Sequence, residues 1–162
     1  MVKEILPLLK NIKMQSNNNY AVGKLNHLIN IAEDGKEGYK NAAEDVKDSA
    51  VKSSFLIYSQ DRSGYASELR QIVAQLNGDA EDKGGDSLGS LHRVWMDIKS
   101  TFTSGDTVAI INACITGEEA AIKEYKLVLD DAEIPESCKP LVGKQLSGIQ
   151  QALLNIKSHN PN

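Results

Sequence analysis

Several features that would narrow the function of a 162-residue chain are missing from this one. No apolar run approaches the roughly 18 residues of a membrane span, so none is expected. There are two cysteines, Cys114 and Cys138, too few for the disulfide framework of a small secreted domain. Both read as free thiols in a reducing compartment, Cys114 as a small core residue. Aromatic residues are 5% of the chain, too sparse for a base-stacking surface. The net charge is −4 with both signs interspersed, which offers nucleic acid no basic face. The stretch "MVKEILPLLKNIKM" lacks a long apolar h-region and a small-residue cleavage site, so no signal peptide is expected and the cytoplasm is the expected compartment.

What is present is helical periodicity. Apolar residues are 41% and charged residues 25%, ordinary for one globular domain with a real core. Residues 1–18 stand apart as an N-terminal segment, a short amphipathic helix interrupted at Pro7, with "QSNNN" as linker and helix-start signal. A basic amphipathic segment of this kind can touch a membrane surface; a docked or frayed terminus is the commoner outcome. The domain itself spans 19–162. A first long helix is expected over 19–47, with Leu25, Leu28, Ala32, Gly35, Tyr39, Ala42 and Val46 as its buried stripe. The small members of that stripe leave room for something bulky opposite.

A second helix, 49–77, follows a turn with Asp48 or Ser49 as N-cap. Its stripe is Val51, Phe55, Tyr58, Arg62, Tyr65, Leu69, Ile72 and Leu76, with Arg62 the intruder. Asn77-Gly78 ends it, and "NGDAEDKGGD" reads as a loop. A shorter helix over 87–102 carries Leu88, Leu91, Val94, Trp95, Ile98 and Phe102, and Ser104-Gly105-Asp106 breaks it. The helix expected over 106–131 has the stripe Val108, Ile111, Ile115, Glu118, Ile122, Tyr125 and Leu129, with Glu118 the intruder. After "EIPESCKP" the last helix, 136–158, carries Val142, Gln145, Ile149, Ala152 and Ile156.

The expected fold is therefore all-α: two antiparallel helical hairpins joined by a long crossover containing a short fifth helix, the connectivity of a ferritin-like four-helix bundle. An internal echo supports the duplication such a bundle implies. "EDGKEGYK" aligns with "EAAIKEYK", pairing Glu33 with Glu119 and Tyr39 with Tyr125, and Gln60 roughly matches Gln145.

The chemistry usual for this scaffold is what the sequence lacks. Di-iron bundles set a Glu on each of two helices and Glu-x-x-His on the other two, because residues i and i+3 share a face and reach one ion. Glu33 or Glu37, and Glu118 or Glu119, are candidate single carboxylates. The other half fails: Lys24, Gly89 and Ile156 stand three residues before His27, His92 and His159. Counted from the hairpin turns, Arg62, Glu118 and Gln145, with Gln60 and Glu33 nearby, share one level, about 20 Å in at about 1.5 Å per residue. A buried arginine must be paired, and Glu118 is its obvious partner in a mid-bundle polar layer of Arg62, Glu118, Gln60 and Gln145. The competing expectation is that both residues snorkel to solvent.

Other signals are weaker. The tyrosines on the stripes read as core rings, and His92 as a solvated neighbour of a packed Trp95. "DKGGDSLGS" lacks the Lys-Ser/Thr of a phosphate loop. No spacing of Ser, Cys and His points to nucleophilic catalysis, and no enzymatic activity is expected.

"LNHLINIAEDGKEGYKNAAEDVKDS", "GSLHRVWMDIKS" and "GEEAAIKEY" closely resemble a bacterial family of ferritin-like four-helix bundles known as a domain of unknown function. The likeness covers about residues 19–158. It implies the bundle fold, no established enzymatic activity and a loose association with bacterial stress responses. It also implies Arg and Glu at Arg62 and Glu118, and departs where relatives carry a His near Leu153.

The leading expectation is thus a non-enzymatic, cytoplasmic bundle without cofactor, self-associating as a homodimer and serving as a structural or interaction module. One alternative is a di-metal oxidase or metal-storage protein holding iron or manganese on Glu33, Glu118, Glu119 and Gln145. Another is a small-molecule pocket lined by tyrosines, which requires a void beside Gly35.

Overall fold

The computed structural model describes residues 2–80, 92–96, 99 and 106–160. Among them every regular element is helical. Four long helices carry the structure: α1 (Val2–Asp45), α2 (Ser49–Gln75), α3 (Thr107–Asp130) and α4 (Lys139–Ser158). A 3-10 turn, Glu136–Cys138, precedes α4, and residues 92–96 form a short helical piece between α2 and α3. Apart from Lys99, which is helical, the remainder of the helix expected over 87–102, the loop "DKGGDSLGS" and the break at Ser104-Gly105 lie outside the described residues.

The helix ends follow local chemistry. Asp48 caps α2 by accepting hydrogen bonds from the amides of Ala50 and Val51, at 2.9 and 3.0 Å. Asp106 does the same for α3 through Val108 and Ala109. Helix α2 closes on Asn77 in the left-handed region, φ 57°, a conformation asparagine tolerates better than most residues. The Asn77 and Gly78 amides then reach back to the carbonyls of Ala74 and Val73, which satisfies the last turn.

One boundary differs from the sequence reading. Helix α1 runs unbroken through Pro7 and through "QSNNN" to Asp45. Pro7 lies near the start of the helix, where the lost hydrogen bond and the crowding fall on an end turn. The asparagines cost only a few tenths of a kcal/mol each relative to better helix formers. No glycine separates the two halves. Residues 3–17 are nevertheless exposed throughout, and burial begins at Ala21.

Helices α1 and α2 pack antiparallel, with Ser59 Oγ donating to the Lys36 carbonyl at 2.9 Å. Helices α3 and α4 pack likewise. Contacts from α1 to α3 and from α2 to α4 close the ring. The core runs along it through Leu25, Leu28, Phe55, Leu69, Ile111 and Ile149. The stripes expected on α1 and α4 are buried in full, whereas α3 is rotated from its expected phase. Cys114, Gly117, Ala121 and Val128 join Ile111, Glu118 and Tyr125 inside, leaving Val108, Ile115, Ile122 and Leu129 half-buried. On α2, Ala66 and Val73 are buried, while Tyr65, Ile72 and Leu76 are half-buried.

Candidate functional site

Each polar residue at the centre of the helices arrives from a stripe that is otherwise apolar or small. Arg62 on α2 and Glu118 on α3 are 3% and 1% exposed, which decides against snorkelling. They meet directly: Nη2 of Arg62 donates to both carboxylate oxygens of Glu118 at 2.5 Å. Space for the arginine stem comes from α1. A Cβ on Gly35 would lie 3.4 Å from Arg62 Cγ, so the void that a tyrosine-lined pocket needs beside Gly35 is filled by the arginine. The guanidinium lies over the rings of Tyr39 and Tyr65, at 5.8 and 5.6 Å from their centroids, where ring quadrupoles favour a cation.

Burial pushes the Glu118 carboxyl up from its ordinary value; the Arg62 charge opposes this without reversing it. Burial is the strongest single influence on Arg62 and works against its charge, but Glu118, Tyr39 and Tyr125 together outweigh it, so the guanidinium is held above its usual range. Tyr39 is fully buried, and its hydroxyl is raised first by burial and then by the Glu118 carboxylate. That hydroxyl is near enough to Glu118 to feel its charge but off the geometry of a well-formed hydrogen bond, and among the described residues it has no other partner. Cys114 is buried beside Glu118, and burial raises its thiol well above the ordinary range, the opposite of what a nucleophilic thiolate needs.

Gln145 on α4 forms a second, adjoining cluster. Its Oε1 accepts from the Tyr125 hydroxyl at 2.9 Å. Its Nε2 donates to Glu68 at 2.9 Å and to the Tyr65 carbonyl at 3.2 Å. Tyr65 links the two clusters by lying against Arg62 and presenting its backbone to Gln145. Gln60 belongs to neither cluster. It is exposed, because it lies two residues, and so about 160°, around α2 from Arg62.

The proposed metal candidates do not converge. Glu118 has both oxygens on Arg62, and Gln145 is taken up by Tyr125, Tyr65 and Glu68. Glu33 sits at the rim with Lys36 and Arg70, at 2.8 and 3.0 Å. Glu119 is exposed near Lys157 at 3.3 Å, and Glu37 is exposed. Among the described residues no three His, Cys, Asp or Glu side chains gather in a way that could hold an ion. His27 and His92 pair instead with Glu124 and Asp34, at 3.1 and 2.9 Å. The donor set at the centre, one arginine and one carboxylate already committed to it, does not fit a cation.

The chain is similar over residues 20–131 to a family model described as a domain of unknown function, DUF2383. That match spans more than half of the chain and includes both Arg62 and Glu118. The chain is a member of the DUF2383 family. A comparison with curated proteins finds no match. The DUF2383 match starts one residue before the first buried position of α1, so residues 2–19 lie outside it.

Sequence reasoning expected Trp95 of the DUF2383 chain to pack but missed where it sits. Trp95, from the segment between α2 and α3, is 7% exposed and packs against Tyr39 at 5.6 Å between centroids. Its ring occupies the places where Gly38 of α1 and Gly117 of α3 would carry side chains. Two glycines inside otherwise good helices were the available signal, since a helical glycine costs about 1 kcal/mol and calls for a packing reason.

Proposed function

We propose that this chain is a non-enzymatic, ferritin-like four-helix bundle that serves as a structural or interaction module, cytoplasmic and self-associating as a dimer. The observation that carries this reading is the Arg62–Glu118 pair. It occupies the centre of the helices, where a di-metal protein would place its ligands, and fills it with a fixed cation. Arginine stays protonated in any environment a protein supplies, so Arg62 itself offers no proton to transfer. A buried pair of this kind is best supported as a device for register, fixing which helix faces meet among otherwise similar apolar stripes. The packing directions of the four helices fit up-down, crossover, down-up connectivity. The resemblance adds bacterial stress responses as the physiological setting.

The test is elemental analysis of protein purified without chelators. The expected result is no stoichiometric iron or manganese. Stoichiometric metal that disappears in Glu118→Ala would overturn the proposal. Sedimentation of the same sample is expected to return a dimer.

A further inference from the structure

The first turns of α1 have an apolar face that nothing among the described residues covers. Ile5, Leu6, Leu8, Leu9 and Ile12 are each more than half exposed, although α1 from Ala21 onward buries its apolar residues. Because α1 is continuous, the direction of this face is set. At about 100° per residue, Ile5, Leu9 and Ile12 lie roughly 140–160° around the helix from Leu25. The face therefore looks away from the helices that α1 packs against, and they cannot cover it without a break in α1.

The charges on this segment select its partner. Residues 2–17 carry Lys3, Lys10 and Lys13 against Glu4, a net +2 in a chain of net −4, so the remainder carries −6. At about 100° per residue, Lys13 lies beside the apolar face, and Lys3 and Lys10 lie on the polar side opposite it, with Glu4, Asn11 and Gln15 completing that side. Pairing with the same segment of a second copy would bring together two segments of net +2. An apolar groove of about 480 Å³ between α3 and α4, lined by Ile122, Leu153 and Leu154, is no better suited. Its Glu119 is paired with Lys157, and its other charged lining residue is Lys126. An anionic lipid surface matches the charge and requires no shaped groove, and a helix with leucine and isoleucine on one face and lysines on the polar side is the form that lies in such an interface.

We propose that residues 3–16 form an interfacial helix that docks the chain peripherally on an anionic lipid surface. Ile5, Leu9 and Ile12 enter the acyl boundary, and Lys3, Lys10 and Lys13 meet the headgroups. The proposal rests on α1 before Tyr20 and is independent of the buried centre.

The test is flotation of the full chain with vesicles of phosphatidylcholine alone and of phosphatidylcholine mixed with phosphatidylglycerol. Binding is expected to the mixed vesicles and to be lost in Leu9→Glu/Ile12→Glu. It is expected to weaken roughly thirtyfold in Lys10→Gln/Lys13→Gln, at the usual contribution of a lysine near an anionic surface. All four positions are exposed, so circular dichroism and melting of both variants should match the parent. The lipid-free oligomeric state should also be unchanged in both. No flotation with mixed vesicles, equal flotation with neutral ones, or flotation unaffected by Leu9→Glu/Ile12→Glu would each overturn the proposal. A dimer that dissociates in Leu9→Glu/Ile12→Glu without any flotation would assign the face to a second copy instead.

Discussion

Arg62 and Glu118 sit on helices that no short turn connects, yet one guanidinium nitrogen reaches both oxygens of the carboxylate with almost no solvent contact for either residue. Removing one partner and removing both are therefore different experiments. Arg62→Ala leaves a buried carboxylate unpaired and should cost about 3–5 kcal/mol in urea denaturation. The double variant Arg62→Met/Glu118→Leu replaces the pair with apolar side chains of similar volume and should fall within about 1–2 kcal/mol of the parent, or above it. A single variant as stable as the parent would refute the burial argument.

Gly117 and Gly64 should respond to alanine with opposite signs. A Cβ on Gly117 would lie 2.6 Å from the Trp95 ring, so Gly117→Ala forces the indole to move and should cost about 1–3 kcal/mol. Trp95 emission should shift to the red as the ring is displaced. Gly64 is exposed inside α2 with nothing within 4 Å of its Cβ position. Gly64→Ala should stabilise by about 0.5–1 kcal/mol through helix propensity alone. Equal effects at the two sites would show that Trp95 is not seated on Gly117.

Tyr20 and Asp131 should couple in titration. The Tyr20 hydroxyl donates to Asp131 at 2.6 Å, and that hydrogen bond raises the phenol to about 12 and lowers the carboxyl below its ordinary value. The tyrosine contribution to stability is whole below its ordinary pKa of 10.0 and is lost as pH rises toward about 12. The aspartate contribution is whole above its ordinary 3.8 and is lost on further acidification. Phenolate absorbance should show one tyrosine returning toward the ordinary value in Asp131→Asn. An unchanged absorbance curve would mean that the bond is absent in solution.

Gln145 should couple to Tyr125. Gln145→Leu removes the acceptor of a buried hydroxyl and a donor to Glu68, and should cost about 1–3 kcal/mol. Adding Tyr125→Phe removes the stranded hydroxyl, so the double variant should be less destabilised than the sum of the singles. Strict additivity in chemical denaturation would count against the hydrogen bond.

Much of this was legible in the chain because helical signals are local. The stripe from Leu25 to Val46 and the stripe from Val142 to Ile156 are set by spacings of three and four, and both are buried in full. Asp48, Asp106 and Asn77-Gly78 mark helix ends through hydrogen bonds that reach only a few residues. Arg62 and Glu118 stand out on apolar stripes by the same logic, since a charge in such a place requires a partner.

The tertiary structure decided what spacing leaves open. A shift of one residue turns a helix face by about 100°, and where α3 is apolar on several sides only packing selects Cys114, Gly117 and Ala121 over Ile115 and Ile122. The echo pairs Gln60 with Gln145, yet one faces solvent and the other is 1% exposed, because each helix is rotated by what it packs against. The continuity of α1 through Pro7 depends on costs summed along the whole helix rather than on one breaker. The seat of Trp95 between Gly38 and Gly117 joins three segments far apart in the chain. Sequence by itself determined the course of the four long helices from residue 19 onward and that two charges on apolar stripes require partners. Their meeting with each other, rather than with water or an ion, was decided by the packing of the four helices, since contact between helices is not encoded in the period of any one of them.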